Sequence, residues 1–127
     1  MAAGKYNFTI EQGATTDFEI QWKDSDGNPI DLTYYTARMQ VRQDFGSSGK
    51  LICSLTSTLD SDGTGLNLLG PNSTKPLTSG SIGVIISAVS SSNFDFGEAL
   101  YDLEVVSGSY VTRLLEGRVK LRKEVTV

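Results

Sequence analysis

Short runs in which apolar and polar residues alternate recur along the whole chain. Tyr6, Phe8 and Ile10 alternate with Asn7 and Thr9. Phe18, Ile20 and Trp22 alternate with Glu19 and Gln21, and Ala37, Met39 and Val41 with Arg38, Gln40 and Arg42. A period of two is the mark of a strand with one face in a core and one in water. Leu51, Cys53 and Leu55 continue the pattern, followed by Leu66 with Leu68, and by Ile82, Val84 and Ile86. Tyr101, Leu103 and Val105 flank Asp102 and Glu104, and Val119 and Leu121 flank Lys120 and Arg122. The spacing predicts antiparallel strands near residues 5–10, 16–22, 36–43, 51–57, 81–86, 99–107, 109–116 and 118–126. Tyr6, Trp22 and Tyr101 are expected to be buried, Trp22 because it shares a face with Phe18 and Ile20.

Turn chemistry separates the runs. Asp24-Ser25-Asp26-Gly27-Asn28-Pro29, Asp60-Ser61-Asp62-Gly63, Gly46-Ser47-Ser48-Gly49 and Ser107-Gly108-Ser109 each carry the residues that tolerate tight or left-handed backbone. Gly70 to Gly80, with Pro71 and Pro76, predicts a longer loop. In Gly27-Asn28-Pro29-Ile30-Asp31-Leu32, Ile30 and Leu32 are placed to pin a loop to the core while Asp31 faces water. One short helical turn is expected within 88–96. Gly117 is expected to allow a bulge or bend before the last strand. About eight short strands at this spacing indicate an all-β antiparallel sandwich, with residues 1–127 forming one domain.

Charge changes this picture little overall but is unevenly spread. The net charge is −4. Residues 111–127 hold Arg113, Arg118, Lys120, Arg122 and Lys123 against Glu116 and Glu124, a balance of +3 that leaves −7 for the rest. An acidic chain is a poor nucleic-acid binder, because phosphate contacts need clustered Lys and Arg. No apolar run approaches membrane-spanning length, and the first residues, Met1-Ala2-Ala3-Gly4-Lys5, lack the apolar stretch of a secretory signal. Neither nucleic acid nor membrane is therefore an expected partner. Arg118, Lys120 and Arg122 lie in phase on one face of the last strand. They form the candidate interface, complementary to an acidic neighbour such as another copy of this chain, or they guard an edge strand.

Candidate chemistry is sparse. The chain contains no His, so no Ser-His or Cys-His pair is available. Cys53, the single cysteine, is in phase with Leu51 and Leu55 and reads as a small core residue rather than a nucleophile. Asp24 with Asp26 and Asp60 with Asp62 resemble the opening of a calcium loop, but neither has the remaining oxygen ligands or the closing Glu. Phe45-Gly46-Ser47-Ser48-Gly49-Lys50 lacks the spacing of a phosphate loop. Asp95, Glu98, Asp102 and Glu104 offer carboxylates, yet Asp102 and Glu104 fall on the wet face of one strand. No enzyme activity, catalytic residue, metal or cofactor is expected.

Two segments carry a likeness. The first is Trp22-Lys23-Asp24-Ser25-Asp26-Gly27-Asn28-Pro29-Ile30-Asp31-Leu32-Thr33 with Tyr35-Thr36-Ala37-Arg38-Met39-Gln40-Val41-Arg42. The second runs from Tyr101-Asp102-Leu103-Glu104-Val105 through Val111-Thr112-Arg113-Leu114-Leu115-Glu116-Gly117-Arg118-Val119 to Glu124-Val125-Thr126. Together they resemble small virion proteins of tailed bacteriophages and the N-terminal immunoglobulin-like domain of upper baseplate proteins. The resemblance implies an immunoglobulin-like sandwich in the virion, assembled in the host cytoplasm, whose partners are other virion proteins and further copies of itself. It would serve as a baseplate or tail adaptor. A capsid decoration protein is the first alternative. A carbohydrate-binding module for host adsorption is the second, with Tyr34, Tyr35 and Tyr110 as its only candidate platform.

Overall fold

In the computed structural model, residues 4–43, 50–70 and 72–125 are described. The alternating runs become nine strands, β1 (Gly4–Lys5), β2 (Phe8–Glu11), β3 (Thr16–Gln21), β4 (Thr36–Arg42), β5 (Leu51–Thr56), β6 (Gly65–Asn67), β7 (Ser81–Ile86), β8 (Glu98–Ser107) and β9 (Tyr110–Arg122). The one α-helix among the described residues, α1 (Ala88–Ser92), is the short helical turn expected within 88–96. The expected turn at Gly46–Gly49 lies outside the described residues.

The strands form two sheets. The larger has six strands in the order β1-β9-β8-β4-β5, with β2 also on β9; the smaller has the order β3-β7-β6. Met39, Val41, Leu103, Val105, Val119 and Ile10 from the large sheet meet Leu66, Ile82, Val84 and Ile86 from the small one in a common core. This is a sandwich-like arrangement, and apolar burial between the layers supplies its main driving force. Leu32 is fully buried and Asp31 exposed, so Leu32 pins the segment after the first Asp-Gly turn, whereas Ile30, expected to share that task, is only partly buried.

Four expectations need correction. The large sheet is mixed, not antiparallel, because β1 and β2 run parallel to β9. Alternation reports which face is buried and is silent on strand direction. The two C-terminal strands are one strand of 13 residues that passes through Gly117 without a break. The irregularity in its pairing falls at Leu114, between Leu103↔Leu115 and Glu104↔Arg113. Trp22 lies just past the end of β3 and is only partly buried, edge-on to Tyr35 with ring centroids 5.2 Å apart. Tyr6 is 45% exposed rather than buried.

Gly117 has a different task from bending the chain. A Cβ there would stand 2.1 Å from the Tyr6 carbonyl oxygen and 2.9 Å from Asn7 Oδ1. The missing side chain lets the Tyr6–Asn7 backbone settle directly on β9. From the opposite strand, Tyr101 faces Gly117 in register, and its hydroxyl donates to the Tyr6 carbonyl at 2.6 Å. Glu116 accepts from the Tyr6 N–H, and the Arg118 N–H donates to Asn7 Oδ1, a side chain standing in for a ladder carbonyl. Phe8 packs edge-on against Tyr101 at 5.0 Å.

Replacing Gly117 with Ala should therefore push the N-terminal strand off β9. The expected loss is about 2–3 kcal/mol, the cost of overpacking a filled site. Tyr101→Phe, which deletes only the hydroxyl, should cost about 1 kcal/mol. Urea unfolding monitored by Trp22 fluorescence reads both, and an unshifted midpoint for Gly117→Ala would contradict the docking described.

Candidate interaction face

The outward face of the large sheet is built by register. Residues directly opposite on neighbouring strands share a face, so Glu98, Leu100, Asp102 and Glu104 of β8 stand beside Lys120, Arg118, Glu116 and Arg113 of β9. On the other side, Arg38, Gln40 and Arg42 of β4 stand beside Glu104, Asp102 and Leu100. Lys5 and Glu11 border Glu116 and Arg122. The result is a set of charge stripes: mostly basic on β9, acidic on β8, basic on β4.

The stripes are tied across strands. Arg38 Nε lies 2.9 Å from Glu104, and Arg113 reaches both Asp102 at 3.5 Å and Glu104 at 3.6 Å. Lys5 meets Glu116 at 3.3 Å. The candidate interface residues belong to the same lattice. Arg118 Nη1 is 2.9 Å from Glu98, and Arg122 Nη1 is 3.6 Å from Glu11. Lys120 is exposed between them, opposite Glu98 and Thr9, and makes no ion pair among the described residues. The basic tail seen in the sequence is thus largely answered by acids that the fold carries alongside it, Glu11 of β2 and Asp95, Glu98, Asp102 and Glu104 in or just before β8. Each such exposed pair is worth only about 0–1 kcal/mol.

Asp102 sits in the middle of this face. Its carboxyl is held above the usual range, chiefly by burial, then by neighbouring Glu104, with Arg113 opposing. Glu98, Asp102 and Glu104 are together, whereas Asp95 lies apart and pairs with Lys123 at 2.9 Å. The hollows on this face are open to solvent. One of about 270 Å³ is lined by Gln40, Arg42, Asp102, Arg113 and Glu116, and another of about 390 Å³ by Asn7, Thr9, Glu98, Arg118 and Lys120. Such open relief suits contact with a broad surface more than capture of a small molecule.

The remaining candidates resolve into structure. Asp24 Oδ1 accepts from the N–H groups of Asp26 and Asn28, closing its turn. Among the described residues no group of three or more His, Cys, Asp or Glu is placed to hold a metal ion. Cys53 is half-buried and faces the core with Leu55. A bulge opposite Val41 and Arg42 throws Leu51 out of phase, leaving it 44% exposed. Burial pushes the Cys53 thiol up to about 12, well away from a reactive thiolate. Tyr34 and Tyr110 are 86% and 72% exposed, but Tyr35 is taken up by Trp22.

One cluster was not visible as such in the sequence. Asp62 Oδ1 accepts from the Thr64 N–H, and Asp62 Oδ2 accepts from Ser87 Oγ at 2.6 Å and Ser90 Oγ at 2.8 Å. Ser87 Oγ in turn caps α1 by accepting from the Ser90 N–H. The Ser87-x-x-Ser90 spacing hints at the cap, but nothing local points to Asp62, 25 residues away. These bonds, led by that of Ser87, hold the Asp62 carboxyl far below the ordinary carboxylate range. A carboxyl depressed in the folded state stabilises above its unfolded value, about pH 4, and the contribution is lost as pH falls through the folded value. Asp62→Asn should lower the thermal midpoint at pH 7 and flatten its decline below about pH 4. Equal pH slopes for both proteins would remove this role. Comparison with known proteins finds no family and no curated protein that matches the chain.

Proposed function

We propose that this chain is a non-enzymatic structural component of a tailed-phage particle. In this reading an immunoglobulin-like sandwich acts as an adaptor or attachment domain at the baseplate or tail, in several symmetric copies. The observation that carries it is the striped outer face of the six-stranded sheet. Its charged side chains are largely paired across strands, and its hollows are open. Charged stripes of this kind set register and orientation against a partner's rigid surface more than they add raw affinity. The likeness of the Trp22–Arg42 and Tyr101–Thr126 segments to virion proteins points the same way. A capsid decoration protein would use the same face. A carbohydrate-binding module is favoured by a separate observation, the strong exposure of Tyr34 and Tyr110, since aromatic faces stack on sugars.

Lys120 tests this face, because reversing it breaks no ion pair among the described residues. Lys120→Glu should leave the thermal midpoint within a few degrees, as solvent-facing changes cost under about 0.5 kcal/mol. It should lower the occupancy of the chain in purified particles, with the deficit largest at low salt and shrinking as salt is raised. Proteomics and immunogold labelling of the particles read occupancy and position: tail tip for the adaptor, head surface for decoration. Absence of the wild-type chain from particles overturns the proposal. A strong glycan-array signal abolished by Tyr34→Ala or Tyr110→Ala would move the assignment to the sugar-binding module.

A further inference from the structure

A β-sheet edge is a row of unpaired N–H and C=O groups, and proteins usually protect it with charge, cover or brevity. Among the described strands, three of the four edges are protected. The β1–β2 edge carries Lys5 and Glu11, both in ion pairs. The β3 edge carries Asp17 and Glu19, with Lys75 bound to Glu19 at 2.7 Å. β6 is three buried residues, closed over by the Asn67 side chain, which bonds Ser73 Oγ and the Leu69 N–H. β5 differs. From Leu51 to Leu59 the chain has no charge, no Pro and no Gly, and among the described strands β5 pairs only with β4.

The orientation of its free groups follows from the ladder. The Ser57 N–H donates to the Ala37 carbonyl, so the residues in phase with it, Leu55 and Cys53, turn their backbone groups toward β4. Ser54 and Thr56 then turn theirs outward. The Thr56 carbonyl is covered, since a Cβ on Gly65 would fall 2.9 Å from it. The accessible stretch centres on Ser54, which is exposed, and is bordered by Leu51, 44% exposed.

We infer that β5 pairs antiparallel with the β5 of a second copy, about a two-fold axis that sets Ser54 opposite itself. Only an extended backbone can satisfy such an edge. The lack of charge lets two identical strands approach without setting like charges against each other, which the β3 edge, with Asp17 and Glu19, does not allow. Two-fold pairing also closes the edge, so growth stops at the dimer. The two six-stranded sheets become one continuous sheet with both striped faces outward. The inference does not rest on the particle reading and is decided on the purified chain.

Sedimentation velocity from micromolar to millimolar concentration should show a monomer–dimer equilibrium and no larger species. Ser54→Pro removes an N–H that the internal ladder does not use, a position where an edge strand tolerates proline. It should leave the circular dichroism spectrum unchanged and shift the dimer dissociation constant upward by at least tenfold. Should that variant fail to fold, Ser54→Lys decides the matter, because it sets two ammonium groups against each other only in the proposed register. A monomer at every concentration, a dimer indifferent to both substitutions, or open-ended assembly would each overturn the inference.

Discussion

The fold depends on one close approach: the backbone at Tyr6 and Asn7 lying on Gly117. The strands that begin and end the described chain are neighbours in the sheet, and β9 has the N-terminal strand on one side and β8 on the other. Gly117 supplies the space, Tyr101 supplies a hydroxyl to the carbonyl that fills it, and the Asn7 side chain supplies the acceptor for the Arg118 N–H. Docking this strand brings Phe8 and Ile10 into the core and carries Lys5 and Glu11 to the border of the striped face. The core and the candidate surface therefore hang on the same few atoms.

At the far end of that strand, Gln12 performs a similar service by different means. Its amide donates to the Phe94 carbonyl and accepts from the Glu124 N–H, and its own N–H bonds the Arg122 carbonyl. Ser91, fully buried, accepts from the Gly13 N–H and donates to the Ala14 carbonyl. Polar side chains thus close the gap between sheets where strands cross from one layer to the other. The bonds to Phe94, Gly13 and Ala14 are partly shielded from water, which makes their backbone groups costlier to leave unpaired than exposed ones.

The period-two runs made most strand positions legible, since a strand with one wet face has to write its burial into its sequence. β3, β4, β5, β7 and β8 fall within a residue or so of expectation. Direction was not legible, because Phe8 and Ile10 would read the same in a parallel or an antiparallel strand. Gly117 misled, because a glycine that bends a strand and a glycine that admits another backbone look alike until the second backbone is in place. The candidate interface was legible as residues and not as a surface. Arg118, Lys120 and Arg122 do share a face, but the acids beside Arg118 and Arg122 come from 20 and 111 positions earlier in the chain. Charge counted along a sequence is a poor guide to the field over a sheet that joins its distant parts.

The parallel pairing of β1 and β2 with β9 has a consequence for how the chain is made. Its contacts span more than 100 residues, so ring closure there carries a large entropic cost and must come late. During synthesis β1 and β2 emerge before β9 and have no place on it until residues 115–122 have cleared the ribosome. For that interval Phe8 and Ile10 are exposed, and the growing chain offers an apolar strand with both edges open. Chaperone capture, or pairing between nascent chains on one messenger, would act in this window. The order of synthesis is therefore a constraint on this fold that its finished contacts do not display.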